Sequence, residues 1–123
     1  MVSIHHNSPS ASASSTPGTE SYVQSNSAPS LRLGNYVQSE VLQSLINFTG
    51  VNWVSRSDAG VLKVLNSSGR DTYGILSRPK VPTTLVELAY ISNASEANLV
   101  QTDAYKLAVA SALATALENF LNT

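Results

Sequence analysis

The run Thr83-Thr84-Leu85-Val86-Glu87-Leu88 constrains this chain more than any other segment. It is β-branched or apolar at nearly every position and follows Pro82. A strand that is apolar on both faces needs cover on both faces, which suits a buried parallel strand of an α/β sheet. Glu87 is the exception. Its carboxylate shares one strand face with Leu85, while Val86 and Leu88 share the other. A second β-like run, Val2-Ser3-Ile4-His5-His6-Asn7, places two imidazoles at the end of an apolar stretch. That run starts at residue 1, so the expectation is a chain that begins inside a structural element.

The remaining pattern alternates strands and helices. Residues 1–5 read as a strand, residues 8–18 as a loop of Ser, Ala, Thr, Pro and Gly, and Thr19 to Gln24 as a second strand. Ser25 to Ser30 reads as a loop. From Leu31 to Phe48 the period is helical, with Leu33, Val37, Val41, Leu45 and Phe48 on one face. Ser30 is its expected N-cap and Gly50 its stop. Residues 51–60 read as irregular, Val61 to Leu65 as a short strand, and Asn66 to Pro82 as a loop. Asn93 or Ser95 caps a short helical turn through Val100. A last helix follows Thr102, with Tyr105, Val109, Ala112, Leu113, Ala116, Leu117 and Phe120 on its packing face. Strands alternating with helices predict an α/β fold with a mostly parallel, twisted sheet flanked by helices on both faces. With only two long helices and about four strands, the sheet is expected to be incomplete at its N-terminal side.

Composition excludes some functions. The chain has 123 residues, which suits one small domain, and 42% hydrophobic residues suffice for a core. A net charge of -1, without a block of Lys or Arg, argues against a nucleic-acid partner. The absence of cysteine removes disulfides and thiolate metal sites, so a metal would need His, Asp or Glu. No basic region followed by an apolar core marks a signal peptide. No apolar run approaches the roughly 20 residues of a membrane span. Charged residues make up only 12%, a polarity balance common on proteins that work outside the cytoplasm.

Two residues carry candidate chemistry. His5 and His6 are neighbours on a strand and point to opposite faces, so one can be a metal ligand while the other is not. An isolated His-His pair is more often structural. Glu87 lies in a run that reads as buried, where a carboxylate needs a partner or titrates toward neutral. A raised pKa is also what a general base working near neutral pH requires. The alternative is a structural carboxylate that caps a loop or pairs with Arg70 or Arg78. Sites in open α/β sheets lie outside the carboxyl ends of strands, and both His5 and Glu87 stand near such ends. No nucleophile-elbow, phosphate-loop or dinucleotide-binding string is present.

Taken together, these residues resemble a known family. Ser3-Ile4-His5-x-Asn7, Gly18-Thr19-Glu20-x-Tyr22, and Ser30, Leu33, Val37 and Gln38 of the first helix are similar to the zinc-dependent N-acetylmuramoyl-L-alanine amidases of bacterial cell walls. The string Leu85-Val86-Glu87-Leu88-Ala89-Tyr90-Ile91-Ser92-Asn93, with Glu96-Ala97 and the Tyr105 helix, continues the likeness. The resemblance implies a zinc ion held by two histidines and a glutamate, with His5 as one histidine ligand. It implies Glu87 as the catalytic glutamate that assists a zinc-bound water. It implies cleavage of the amide between the lactyl group of N-acetylmuramic acid and L-alanine in peptidoglycan, outside the cell, in the periplasm or in the wall. The family's other two ligands have no counterpart here, so residues 1–123 correspond to the C-terminal part of a single catalytic domain with an incomplete zinc site. Substrate-binding residues are not marked. The other reading is a non-catalytic remnant or wall-binding module of the same fold.

Overall fold

A computed structural model describes residues 1–8, 18–51, 53 and 60–123. The loop expected over 8–18 and the irregular stretch expected over 51–60 lie largely outside the described residues. Strands β1 (Val2–Asn7), β2 (Glu20–Val23), β3 (Val61–Leu62) and β4 (Thr84–Tyr90) form one sheet in the order β1-β4-β2-β3. The β1–β4 and β2–β3 pairs are parallel and the β2–β4 pair is antiparallel. The sheet is therefore mixed, with parallel pairing predominant, as the alternating pattern predicts. β4 is central because it is the most apolar strand: all its residues except Glu87 are buried.

Helix α1 (Ala28–Leu45) starts three residues before the expected start. Ser27, not Ser30, is its N-cap, accepting from the Ser30 N–H at 3.2 Å. Pro29 sits in the first turn, where its missing N–H costs nothing. Ser30 is fully buried instead and donates to the Thr83 carbonyl, tying the start of α1 to the start of β4. The helix ends at Ile46 rather than at Gly50. Residues 66–82 are not all loop, since α2 (Gly74–Ser77) is a single turn. The expected strand over Val61 to Leu65 shortens to two residues, with Leu65 forming an isolated bridge to Asp71. Helix α3 (Ala94–Leu99) is capped by Asn93, and α4 (Asp103–Leu121) by Thr102, as their sequences predict.

Helices flank the sheet as expected, but among the described residues the two long ones share one face and the single turn α2 lies on the other. Leu33, Val37, Val41 and Leu45 of α1 and Tyr105, Val109, Leu113 and Ala116 of α4 share one core with Val86 and Leu88. Both long helices therefore cover the same face. Arg32 of α1 reinforces their contact, stacking 4.3 Å above the Phe120 ring. Leu117, expected on the packing face, is 37% exposed because it lies at the margin of that stripe. The opposite face holds a smaller cluster of Tyr22, Leu85 and Leu76, with Leu62 and Tyr73 at its edge. The physical reason is polar: the same face carries His5, Glu87 and Glu20, which a long apolar helix cannot cover without cost. Among the described residues no helix is long and apolar enough to cross a membrane.

Candidate active site

Strand alternation aims the key side chains. In β1, Ser3 and His5 point to the face opposite the long helices, while Val2 packs into the helix-side core. His6 points to the helix side, where its Nε2 lies 3.2 Å from the Tyr105 hydroxyl. Burial, and next the neighbouring His5, lower its pKa below the usual imidazole value. The two adjacent histidines are thus separated, as strand geometry requires.

Register then assembles a row across three strands. His5 is the parallel partner of Glu87, and Glu20 is the antiparallel partner of Glu87. The row runs from solvent to interior: His5 is exposed, Glu87 is half-buried, and Glu20 is 1% exposed. His5 Nε2 lies 3.1 Å from the Ser3 hydroxyl, two residues along the same face. The Thr19 hydroxyl donates to the Glu87 carbonyl at 3.1 Å and so fixes the backbone under the central carboxylate.

Glu87 Oε2 is buried and has no hydrogen-bond partner among the described residues. Neither Arg70 nor Arg78 ion-pairs with it. Burial raises its pKa above the usual carboxylate range, His5 pulls it back down, and the neighbouring Glu20 pushes it further up. The structural alternatives raised from sequence, a loop cap or an arginine pair, are not what surrounds this group. An unpartnered carboxylate with raised basicity can accept a proton from a water or donate one to a leaving group.

Glu20 plays a different part, which sequence reasoning left unassigned. Its Oε1 accepts from Asn7 Nδ2 at 2.8 Å, from the Tyr22 hydroxyl at 2.8 Å and from the Tyr90 hydroxyl at 3.1 Å. One buried oxygen thereby ties β1, β2 and β4 together beside Glu87. Burial, then the hydrogen bond to Glu20, pushes the Tyr22 phenol far up, so it stays a donor. A second buried carboxylate, Glu96, accepts from the Gly18 N–H at 2.8 Å and from the Tyr90 N–H. It joins the entry of β2 to the exit of β4. The burial of Glu20 has no local signal, because Thr19 to Gln24 is largely polar in sequence.

Zinc at a catalytic site takes three protein ligands. The described residues contain no group of three or more His, Cys, Asp or Glu able to hold a metal. The described residues therefore do not fit a zinc site by themselves.

A family model described as N-acetylmuramoyl-L-alanine amidase matches residues 1–119. The chain belongs to the N-acetylmuramoyl-L-alanine amidase family. The Bacillus subtilis (strain 168) protein YqiI, itself uncharacterized, is 32% identical over 122 residues, covering 98% of this chain and 50% of that protein. The catalytic domain of CwlV, an N-acetylmuramoyl-L-alanine amidase from Bacillus (Paenibacillus) polymyxa var. colistinus, superposes with a TM-score of 0.73 at 26% identity, covering 98% of this chain and 56% of that one. An N-acetylmuramoyl-L-alanine amidase from Clostridium difficile 630 superposes with a TM-score of 0.78 at 20% identity, covering 99% and 57%. The amidase fold is thus shared over nearly the whole chain. The chain spans about half the length of these relatives.

Proposed function

We propose that residues 1–123 are the C-terminal part of one amidase catalytic domain that hydrolyses the amide between N-acetylmuramic acid and L-alanine of the peptidoglycan stem. The observation that carries this reading is Glu87: a half-buried carboxylate of raised pKa, without a hydrogen-bond partner on one oxygen, opposite His5 in register. Glu87 accepts a proton from the attacking water as its oxygen bonds to the lactyl carbonyl carbon. The C–N bond then breaks, and Glu87 returns that proton to the leaving amine of L-alanine. Glu20 and Glu96 hold the three strands in register around it. Family membership supports peptidoglycan as the partner and the cell wall or extracellular space as the place of action.

Zinc assistance is the finer part of the proposal. His5 would give one imidazole, and the remaining donors would come from outside residues 1–123. A bound zinc supplies polarisation of the carbonyl and a more acidic water. The missing donors among the described residues favour a second reading, a wall-binding module that kept the fold without the chemistry.

Product analysis decides between the two readings. Peptidoglycan digested with the complete protein that contains this chain should release stem peptides with a new free amino group on L-alanine. Wall binding without that new terminus would support the binding module.

A further inference from the structure

We infer that the loop carrying α2 is the peptide side of the site, where Arg78 and Lys80, with Arg70 on the same loop, bind carboxylates of the stem peptide. Four of the chain's seven Lys and Arg side chains, Lys63, Arg70, Arg78 and Lys80, fall within residues 63–80, against one acidic residue, Asp71. All four cations are exposed, and among the described residues none ion-pairs with a carboxylate. Asp71 is half-buried, and its Oδ1 accepts from the Ser25 N–H at 3.0 Å. Cations without a counter-charge attract anions, and they bind best when held in place beforehand. Gln24 holds this loop. Its Nε2 donates to the Leu76 and Pro79 carbonyls, both at 3.1 Å, and its Oε1 accepts from the Thr83 N–H at 3.2 Å. Arg78 lies back over α2, since a Cβ at Gly74 would stand 3.9 Å from its Nε.

The loop adjoins the carboxylate row. Leu76 and Tyr73 pack with Tyr22 and Leu85 on the face that carries Glu87, and the Tyr22 hydroxyl donates to Glu20. The Tyr22 and Tyr73 rings meet edge-on, 5.0 Å apart. From Glu87 back along β4 to Pro82 is five residues, about 16 Å at about 3.3 Å per residue. A cavity of about 380 Å³ opens there, with Gln24, Lys80, Val81 and Pro82 in its wall. An extended peptide of about five residues spans that distance. Charge decides which half of the substrate lies on this side. The scissile amide uses up the lactyl carboxyl, so it leaves no charge on the sugar side. A peptide joined through its N-terminus keeps its C-terminal carboxylate and any acidic side chains. Ile75 and Val81, 37% and 54% exposed, stand among the cations, which suits an acidic peptide better than a polyphosphate. This placement rests on the amidase reading, which puts the reacting amide at Glu87.

The test uses the complete protein that contains this chain. Its probes are an N-acetylmuramoyl-pentapeptide for KM and kcat, the free pentapeptide for Kd by calorimetry, and both again with their carboxyls amidated. Arg78→Ala and Lys80→Ala should each raise KM and Kd by roughly threefold, and together by roughly tenfold, the size of exposed ion pairs. kcat should stay within about twofold, because the contact is the same before and during reaction. The parent should bind the amidated probes as weakly as the double variant binds the acidic ones, and the double variant should lose nothing further on amidation. Added salt should shrink the difference. Lys106→Ala, at a cation on α4 paired with Asp103, should change neither constant. Constants indifferent to amidation or to the double substitution would overturn the inference, while continued turnover would leave the amidase reading intact. Charge-dependent binding without hydrolysis would refute the amidase reading and leave the carboxylate site standing. Substitutions that weaken binding of a phosphate-rich wall polymer but not of the acidic peptide would also overturn the inference, because the cations would then serve that polymer.

Discussion

Replacing Glu96 with Gln removes one acceptor and keeps the shape, and the structure sets the magnitude. The Glu96 carboxylate is fully buried and takes one backbone N–H on each oxygen, from Gly18 and from Tyr90. A glutamine has one carbonyl oxygen. Its NH2 group must face one of the two N–H donors, so that bond is lost and two donors oppose each other. A buried donor left without a partner costs about 1–3 kcal/mol. Burial, the largest influence on this group, raises its pKa, and the two N–H bonds pull it back. Losing the charge therefore adds nothing to the cost at neutral pH. The net expectation is destabilisation by about 1–3 kcal/mol, or roughly 3–10 °C in Tm for a chain of this size. Glu96→Ala should cost more, about 3–5 kcal/mol, because both N–H groups lose their acceptor and a cavity remains. Thermal melts by circular dichroism, with exposed Glu118→Gln as the comparison, read the series directly. A Glu96→Gln variant that melts with the parent, or an alanine variant no worse than the glutamine, would refute the two-oxygen clasp.

Gly34→Ala should destabilise, although alanine is the better helix former by about 1 kcal/mol. A Cβ there would stand 2.3 Å from Val23 Cγ1, deep in the α1–β2 contact, and overpacking costs about 1–3 kcal/mol; a higher urea midpoint would contradict this close approach. Glu87→Gln should raise Tm at neutral pH. The folded carboxylate is held above its unfolded pKa, so its stabilising contribution is full below the unfolded value and lost as pH rises through the folded one. The Tm advantage of Gln should shrink as pH falls through that window, and a pH-independent difference would argue against a raised value. Ser27→Ala should lower stability by about 1 kcal/mol through loss of the α1 cap, read by the same melts, whereas Ser30→Ala should act by freeing the Thr83 carbonyl. The 123-residue chain alone should bind zinc weakly by calorimetry; tight one-to-one binding lost in His5→Ala would reveal donors beyond those described.

The parts of the fold legible in the sequence were those with strong periodicity. The core faces of α1 and α4, the caps at Asn93 and Thr102 and the buried run around Glu87 each rest on local rules. The start of α1 was missed because Ser30, a good cap by type, is used for a tertiary bond to Thr83, and Ser27 caps instead. The short β3 was overextended because Val61 to Leu65 is apolar except at Lys63, while its pairing stops where the chain turns toward Asp71. For the site, the sequence marked Glu87 and His5 as candidates. Register, which no single segment encodes, made them partners. Glu20 and Glu96 were visible only as letters of a resemblance, because their roles arise from hydrogen bonds spanning 13 to 78 residues.

The most direct test of the account is the turnover of the complete protein on a muramoyl-peptide with and without the Glu87 carboxylate. Glu87→Gln preserves size and removes the base, and melting establishes that the variant is folded. The account predicts that release of the L-alanine amino group falls by roughly 10²–10⁴-fold, the usual size of a general-base contribution. Turnover within about twofold of the parent, in a folded Glu87→Gln variant, would contradict it.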